Sequence, residues 1–236
     1  MTSWFRNRRS KVNGSGAPPA DYAALRQAMV EEQLVARGIS DPRVLDAMRT
    51  VPRDAFVPEE IRPLAYTDQP LPVGEGQTIS QPYMVAVMTE ALELTGGERV
   101  LEVGTGSGYQ AAVLARLARE VFTIEQREVL ARAAIERLVR LGLSNVHVRI
   151  GDGTLGWPEQ APFDAIVVTA AAPRIPPPLL EQLAEGGRLV IPVGDEHQQE
   201  LWQVRKHGTQ ISTRVVNYCR FVPLRGQYGW PETEGQ

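Results

Sequence analysis

Three short segments carry residue types that can grip a nucleoside, and their order along the chain suggests which one. Glu102-Val103-Gly104-Thr105-Gly106-Ser107-Gly108 ends an apolar run. Glycines there let the backbone turn tightly and approach a ligand at the N-terminus of the next helix. Dinucleotide enzymes share such a loop, but their spacing needs a third glycine at position 109, where this chain has Tyr109. Glu102, two residues before the first glycine, suits the ammonium group of a methionine better than a pyrophosphate. Glu125 ends the next apolar run, 21 positions after Gly104, and can accept both ribose hydroxyls, with Gln126 beside it. Asp152-Gly153 ends a third run. There Asp152 can accept from an adenine amino group while a backbone N–H donates to a ring nitrogen. Methionine, ribose and adenine together make S-adenosylmethionine, cradled by Gly104, Thr105, Gly106 and Gly108.

Other chemistries find less support. The fourth apolar run ends Val168-Thr169-Ala170-Ala171-Ala172-Pro173. Enzymes that methylate nucleobase amines carry Asp/Asn-Pro-Pro-aromatic there. His147, His197 and His207 have neither metal-ligand spacing nor carboxylate companions, so no metal is expected. No Ser/His/Asp or Cys/His arrangement appears. A nicotinamide-dependent oxidoreductase is disfavoured by Tyr109, and a non-catalytic module by the intact glycine loop with Glu125 and Asp152.

These segments must sit at strand ends. Strands are expected at Val100–Val103, Val121–Ile124, Val146–Ile150, Ala165–Val168 and Leu189–Ile191. Helices fall between them: one after the glycine loop, one marked by Leu130, Ala134, Leu138 and Leu141, and one near Leu179–Leu183 that stops at Gly186-Gly187. Such alternation implies an α/β fold, a mainly parallel twisted sheet with helices on both faces, of Rossmann-like type. Upstream lie an amphipathic helix from Tyr22 to Ala36 and a second from Pro42 to Arg49 capped by Asp41. A proline-punctuated irregular segment follows, then a helix opened by Pro82 that ends at Thr95-Gly96-Gly97. Downstream, Leu201–Arg205, Ile211–Val216 and Phe221–Leu224 read as an antiparallel addition at the sheet edge.

Of 236 residues, Arg6, Arg8, Arg9 and Lys11 give the first twenty a charge of +4 without an acid. Subtracting that from the chain's net −3 leaves −7 on the rest. An acidic body disfavours nucleic acid as a partner. With no apolar span for a bilayer and Cys219 as the lone cysteine, a cytoplasmic, monomeric enzyme without a membrane partner is expected. Residues 1–20 read as a disordered basic extension and 21–230 as one catalytic domain. Within it, 21–96 form a helical, substrate-covering part, 97–195 the cofactor-binding core and 196–230 the antiparallel edge. Residues 231–236 are a tail.

The stretch Val73-Gly74-Glu75-Gly76-Gln77-Thr78-Ile79-Ser80-Gln81-Pro82-Tyr83-Met84 resembles the signature of protein-L-isoaspartate O-methyltransferases. So do Val51-Pro52-Arg53-Asp54-Ala55-Phe56-Val57-Pro58, Leu101–Gln110, Gly151–Trp157 and Phe221-Val222-Pro223-Leu224, and the likeness covers about residues 21–230. It implies a methyltransferase fold. It also implies methyl transfer from S-adenosylmethionine to the free α-carboxylate of L-isoaspartyl, and more slowly D-aspartyl, residues in damaged proteins. Ser80 matches the family's active-site serine, and Gln77, Thr78 and Ile79 its cofactor-covering segment. Ser80 is expected to orient the substrate carboxylate; the alternative is a helix cap, since Pro82 begins a helix two residues later. A related reaction, on aspartate of a modified peptide or another small carboxylate, is the alternative activity.

Overall fold

The computed structural model describes residues 21–195 and 197–231. The basic extension and the last five residues lie outside the described residues. Helix α1 (Tyr22–Met29) is capped by Asp21, whose carboxylate accepts from the N–H groups of Ala23 and Ala24. It runs on through a wide π turn, Val30–Leu34, and a 3-10 turn, Val35–Arg37, to Gly38 in the left-handed region. Helix α2 (Pro42–Thr50) starts as its sequence suggests, with Asp41 accepting from the Arg43 N–H.

The proline-rich stretch is less irregular than expected. Two 3-10 turns, Arg53–Phe56 and Glu59–Leu64, lead into a hairpin of β1 (Leu71–Gly74) and β2 (Gln77–Ile79). Helix α3 (Pro82–Ala91) then ends four residues before Thr95, short of the expected stop.

The core alternates β3 (Arg99–Val103), α4 (Tyr109–Leu114), β4 (Glu120–Glu125), α5 (Glu128–Arg140), β5 (Val146–Ile150), β6 (Phe163–Val168), α6 (Pro177–Glu181) and β7 (Leu183–Gly194). Strands β8 (Gln199–His207) and β9 (Gln210–Cys219) complete a sheet in the order β5-β4-β3-β6-β7-β8-β9. Strands β3 to β7 pair in parallel; β8 and β9 are antiparallel. The chain leaves β3 towards β4 and β5, then returns to β6 on β3's other side. That reversal opens a crevice at the strands' carboxyl ends, where such sheets bind ligands.

Alternation along the central strands fills both faces. Val100, Val121, Ala165, Val167 and Val190 pack with α2, α3 and α4, whereas Leu101, Phe122, Ile166, Val168 and Leu189 pack with α6. Each such buried Val, Leu, Ile or Phe side chain contributes about 1.5–3 kcal/mol. A one-residue slip would turn every one of them over, so the register is firmly set. It places Val103 level with Ile124 and with Val168, bringing Gly104, Glu125 and Thr169 to one spot.

Two expectations need correction. Gly186-Gly187 does not stop a helix. It lies in a bulge of β7, where Leu183 and Arg188 face Phe163 and Ala165 across a register shift. A Cβ on Gly187 would stand 2.8 Å from the Ala184 carbonyl oxygen, so the dipeptide serves a tight kink. Likewise Phe221–Leu224 does not extend the antiparallel edge. It turns back, and Pro223 forms a parallel bridge to Ala171 just beyond β6, with the Leu224 N–H donating to the Ala171 carbonyl at 2.7 Å. Among the described residues no helix is long and apolar enough to cross a membrane.

Candidate active site

A cleft of about 920 Å³, counting its mouth, opens at the carboxyl ends of β3, β4 and β6. Its floor is the glycine loop. The N–H groups of Gly104 and Thr105 both donate to the Ile124 carbonyl, tying the loop to β4. Gly104 sits at φ +99, and a Cβ there would meet the Thr169 hydroxyl at 2.4 Å. Only glycine fits both demands. The Thr169 hydroxyl in turn lies 2.7 Å from the Gly104 carbonyl and 3.1 Å from that of Val103, bracing the loop from β6. At the loop's far end Gly108, φ +89, starts α4 with Ala134 of α5 close against it. It supports the loop from behind and does not line the cleft.

Glu125 is buried to 7 % exposure at the end of β4. One carboxylate oxygen accepts from the Gly106 N–H at 2.8 Å, the other from the Arg127 N–H at 3.0 Å. Both oxygens keep acceptor capacity for a diol. Gln126 and Arg127 continue the same wall. Arg127 also faces Glu75 of the β1–β2 turn across 3.8 Å, so an ion pair joins the two sides of the cleft mouth.

Gln77, Thr78, Ile79 and Ser80 form the opposite wall. The Ser80 hydroxyl is not a cap: the N-cap of α3 is Gln81, and no side chain caps that end. The Ser80 carbonyl accepts from Arg53 Nη2 at 2.7 Å. Thr169 and Ala170 close the inner end, small as the sequence suggests.

Two of the acids anticipated as direct contacts stand behind the wall. Glu102 is fully buried, because alternation along β3 turns it to the face occupied by Val100. Its Oε2 accepts from the Thr123 hydroxyl at 2.5 Å, and that oxygen lies 2.7 Å from the Thr105 hydroxyl. Its Oε1 has no partner. Burial, opposed by the Thr123 hydrogen bond and reinforced by the charge of Glu125, pushes its pKa up to about 8. Glu102 thus reaches the loop through two threonine hydroxyls. Asp152 spends its carboxylate on local structure. Oδ1 accepts from the Thr154 N–H and hydroxyl, and Oδ2 from the Gln227 N–H. Its neighbour Gly153 does line the cleft.

Sequence reasoning missed a whole side of the site. Val222, Pro223, Leu224 and Arg225 line it, held by the bridge to Ala171 and by Asp152. Ser107, Tyr109 and Gln110, at the start of α4, and Thr169 were also not singled out as ligand contacts. The small residues after β6 hinted at Thr169; nothing local announces the C-terminal segment. Among the described residues Glu125 is the only carboxylate in the lining, and no three His, Cys, Asp or Glu side chains gather to hold a metal.

The donor set fits S-adenosylmethionine. A glycine loop whose Gly104 leaves no room for a Cβ and a paired acceptor at Glu125 suit a nucleoside.

Comparison with known proteins agrees. Residues 24–229 match the family described as Protein-L-isoaspartate(D-aspartate) O-methyltransferase. The chain is 57% identical over 210 residues to Protein-L-isoaspartate O-methyltransferase 1 of Syntrophobacter fumaroxidans, covering 89% of this chain and 98% of that one. It is 57% identical over 216 residues to the Protein-L-isoaspartate O-methyltransferase of Geobacter metallireducens, covering 91% and 100%. A solved protein-L-isoaspartate O-methyltransferase superposes with a TM-score of 0.78 at 30% identity, over 86% of this chain and 67% of that one. A putative one from Plasmodium falciparum, in complex with S-adenosyl-L-homocysteine, gives 0.74 at 27% identity, over 85% and 98%.

Proposed function

This chain belongs to the protein-L-isoaspartate(D-aspartate) O-methyltransferase family, and from that premise we propose how its cleft works. The enzyme transfers the methyl group of S-adenosylmethionine to the free α-carboxylate of L-isoaspartyl, and more slowly D-aspartyl, residues in damaged proteins and peptides. The ester then collapses to a succinimide, whose hydrolysis returns part of the chain to normal aspartate.

Gly104, Thr105, Gly106, Glu125, Gln126 and Gly153, with Gln77, Thr78 and Ile79 opposite, are the residues we assign to hold the methyl donor. When bound, it supplies an electrophilic methyl on a sulfonium. The acceptor carboxylate, with an ordinary pKa near ~3.5, is ionised at neutral pH and needs no general base. Opposite charges shrink as the new bond forms, so a dry, well-aligned site favours the step. The observation that carries this reading is the lining itself. Ser80 offers an uncommitted hydroxyl opposite the glycine loop, Ala170 is small and apolar, and the one lining acid, Glu125, is tied to two backbone N–H groups. Ser80 orients a carboxylate oxygen and is not a nucleophile.

The acidic body of the chain favours peptide substrates over nucleic acid. We read the enzyme as a cytoplasmic monomer. Labelled-methyl transfer to paired isoaspartyl and aspartyl peptides, scored as base-labile methanol, tests the substrate. Label on the isoaspartyl peptide alone supports the repair reaction; label on the ordinary aspartyl peptide would point to the alternative activity. Ser80→Ala should lower turnover while leaving the melting temperature unchanged; unaltered turnover would count against its orienting role.

A further inference from the structure

Arg53 stands among the largest fully buried side chains of the molecule. Removing a guanidinium from water costs several kcal/mol unless a partner offsets it, and buried arginines are usually paired with acids. Among the described residues no carboxylate forms an ion pair with this one. Its Nε donates to the Ala65 carbonyl at 2.7 Å and its Nη2 to the Ser80 carbonyl at 2.7 Å, while Nη1 has no partner. Its plane lies over the Tyr109 ring, 4.9 Å from the centroid. Phe56, on the same 3-10 turn, meets that ring edge-on at 5.4 Å. Tyr109 is the first residue of α4, and Tyr109 and Ser80 both line the cleft. One side chain therefore joins the wall that carries Ser80 to the helix that continues the glycine loop.

We propose that Arg53 is a positioning residue for methyl transfer: it fixes the Ser80 backbone against Tyr109, so that the serine hydroxyl is held in register with the glycine loop. The proposal rests on the role of Ser80 given above. A guanidinium suits the task because its rigid fork serves two carbonyls while its face covers a ring; a lysine ammonium cannot do all three. Burial lowers its pKa to about 10, opposed by the neighbouring tyrosines, so it stays charged at neutral pH.

The test is a double-mutant cycle in the full chain, using Arg53→Met, Arg53→Lys and Ser80→Ala. Turnover of an isoaspartyl peptide, S-adenosylhomocysteine affinity by calorimetry and urea stability are read together. In the wild-type background Arg53→Met should lower kcat by roughly ten-fold or more, since misplacement by an ångström is that costly. Arg53→Lys, which keeps the charge and one donor, should recover part of that loss. In the Ser80→Ala background both changes should alter kcat by less than about two-fold, because the group they position is gone. Affinity for S-adenosylhomocysteine should change by less than about three-fold in every variant; a larger loss in the Arg53 variants would place their defect in the glycine loop and overturn the assignment to Ser80. Losses that multiply with that of Ser80→Ala would overturn the proposal, as would a folded Arg53→Lys with unchanged kcat in a wild type that Ser80→Ala impairs. Where Arg53→Met does not fold, the lysine variant decides alone. If Ser80→Ala itself leaves kcat unchanged, the reading of Ser80 falls first, and the assignment of Arg53 falls with it.

Discussion

The buried carboxyl of Glu102 should contribute a fall in stability with rising pH, and Glu102→Gln should remove that contribution. In the folded state burial holds the carboxyl near a pKa of about 8; an exposed glutamate in the unfolded chain titrates near 4.5. Between those values the folded chain keeps a proton that the unfolded chain has lost. The unfolded state therefore binds fewer protons, and stability drops by ~1.36 kcal/mol per pH unit in this window. The contribution is fully present below pH ~4.5 and gone once pH passes the folded value, an overall difference of about 5 kcal/mol. Urea unfolding of wild type and variant at pH 5.5 and 7.5 samples the middle of the window. Wild type should lose about 2–3 kcal/mol relative to Glu102→Gln over those two units. A constant offset from the amide's own packing does not matter, because only the difference in slope is read. Parallel pH profiles would show that Glu102 is ionised in the fold, and the account of a neutral carboxyl behind the loop would be wrong.

Other substitutions probe the same frame. Gly104→Ala forces a Cβ onto the Thr169 hydroxyl at positive φ; it should cost about 1–3 kcal/mol in urea unfolding and weaken S-adenosylhomocysteine binding at least ten-fold by calorimetry. Thr169→Ala in that background should relieve the clash but not the backbone strain. Glu125→Gln should weaken the same ligand by roughly ten-fold, since charge-assisted hydrogen bonds are about twice as strong as neutral ones, and should lower stability by about 1–3 kcal/mol, because its amide nitrogen cannot accept from one of the two backbone N–H groups that the carboxylate serves. Asp41→Ala removes the cap of α2 and should lower stability by about 0.5–2 kcal/mol without changing kcat.

The parallel core was readable because strands covered on both faces appear as unbroken apolar runs, and Ala165–Val168 and Leu189–Ile191 are of that kind. Glycine and acid at their ends then mark the cleft, since the crevice of such a sheet follows from strand order. What escaped the sequence depends on contacts between distant parts. The dipeptide Gly186-Gly187 is equally suited to ending a helix or kinking a strand, and only the pairing of β7 with β6 decides. Pro70 and Pro72 punctuate the start of the hairpin over residues 71–79, which is too short to show a period of two. Glu102 carries the right chemistry for a ligand, yet strand alternation turns it into the protein. Val222–Arg225 has no local mark of its place; an amide at Gln227 held by Asp152 puts it beside the cleft. Nothing local marks Arg53 as buried; its carbonyl partners, Ala65 and Ser80, lie 12 and 27 positions away along the chain.

Calorimetric titration with S-adenosylhomocysteine, with NAD as the control, tests the central claim most directly. Saturable heat with the first at one site per chain, and none with the second, is the expected result. No association with S-adenosylhomocysteine would contradict the assignment of the glycine loop, Glu125 and the hairpin wall to one sulfonium nucleoside, and with it the methyl transfer built upon them.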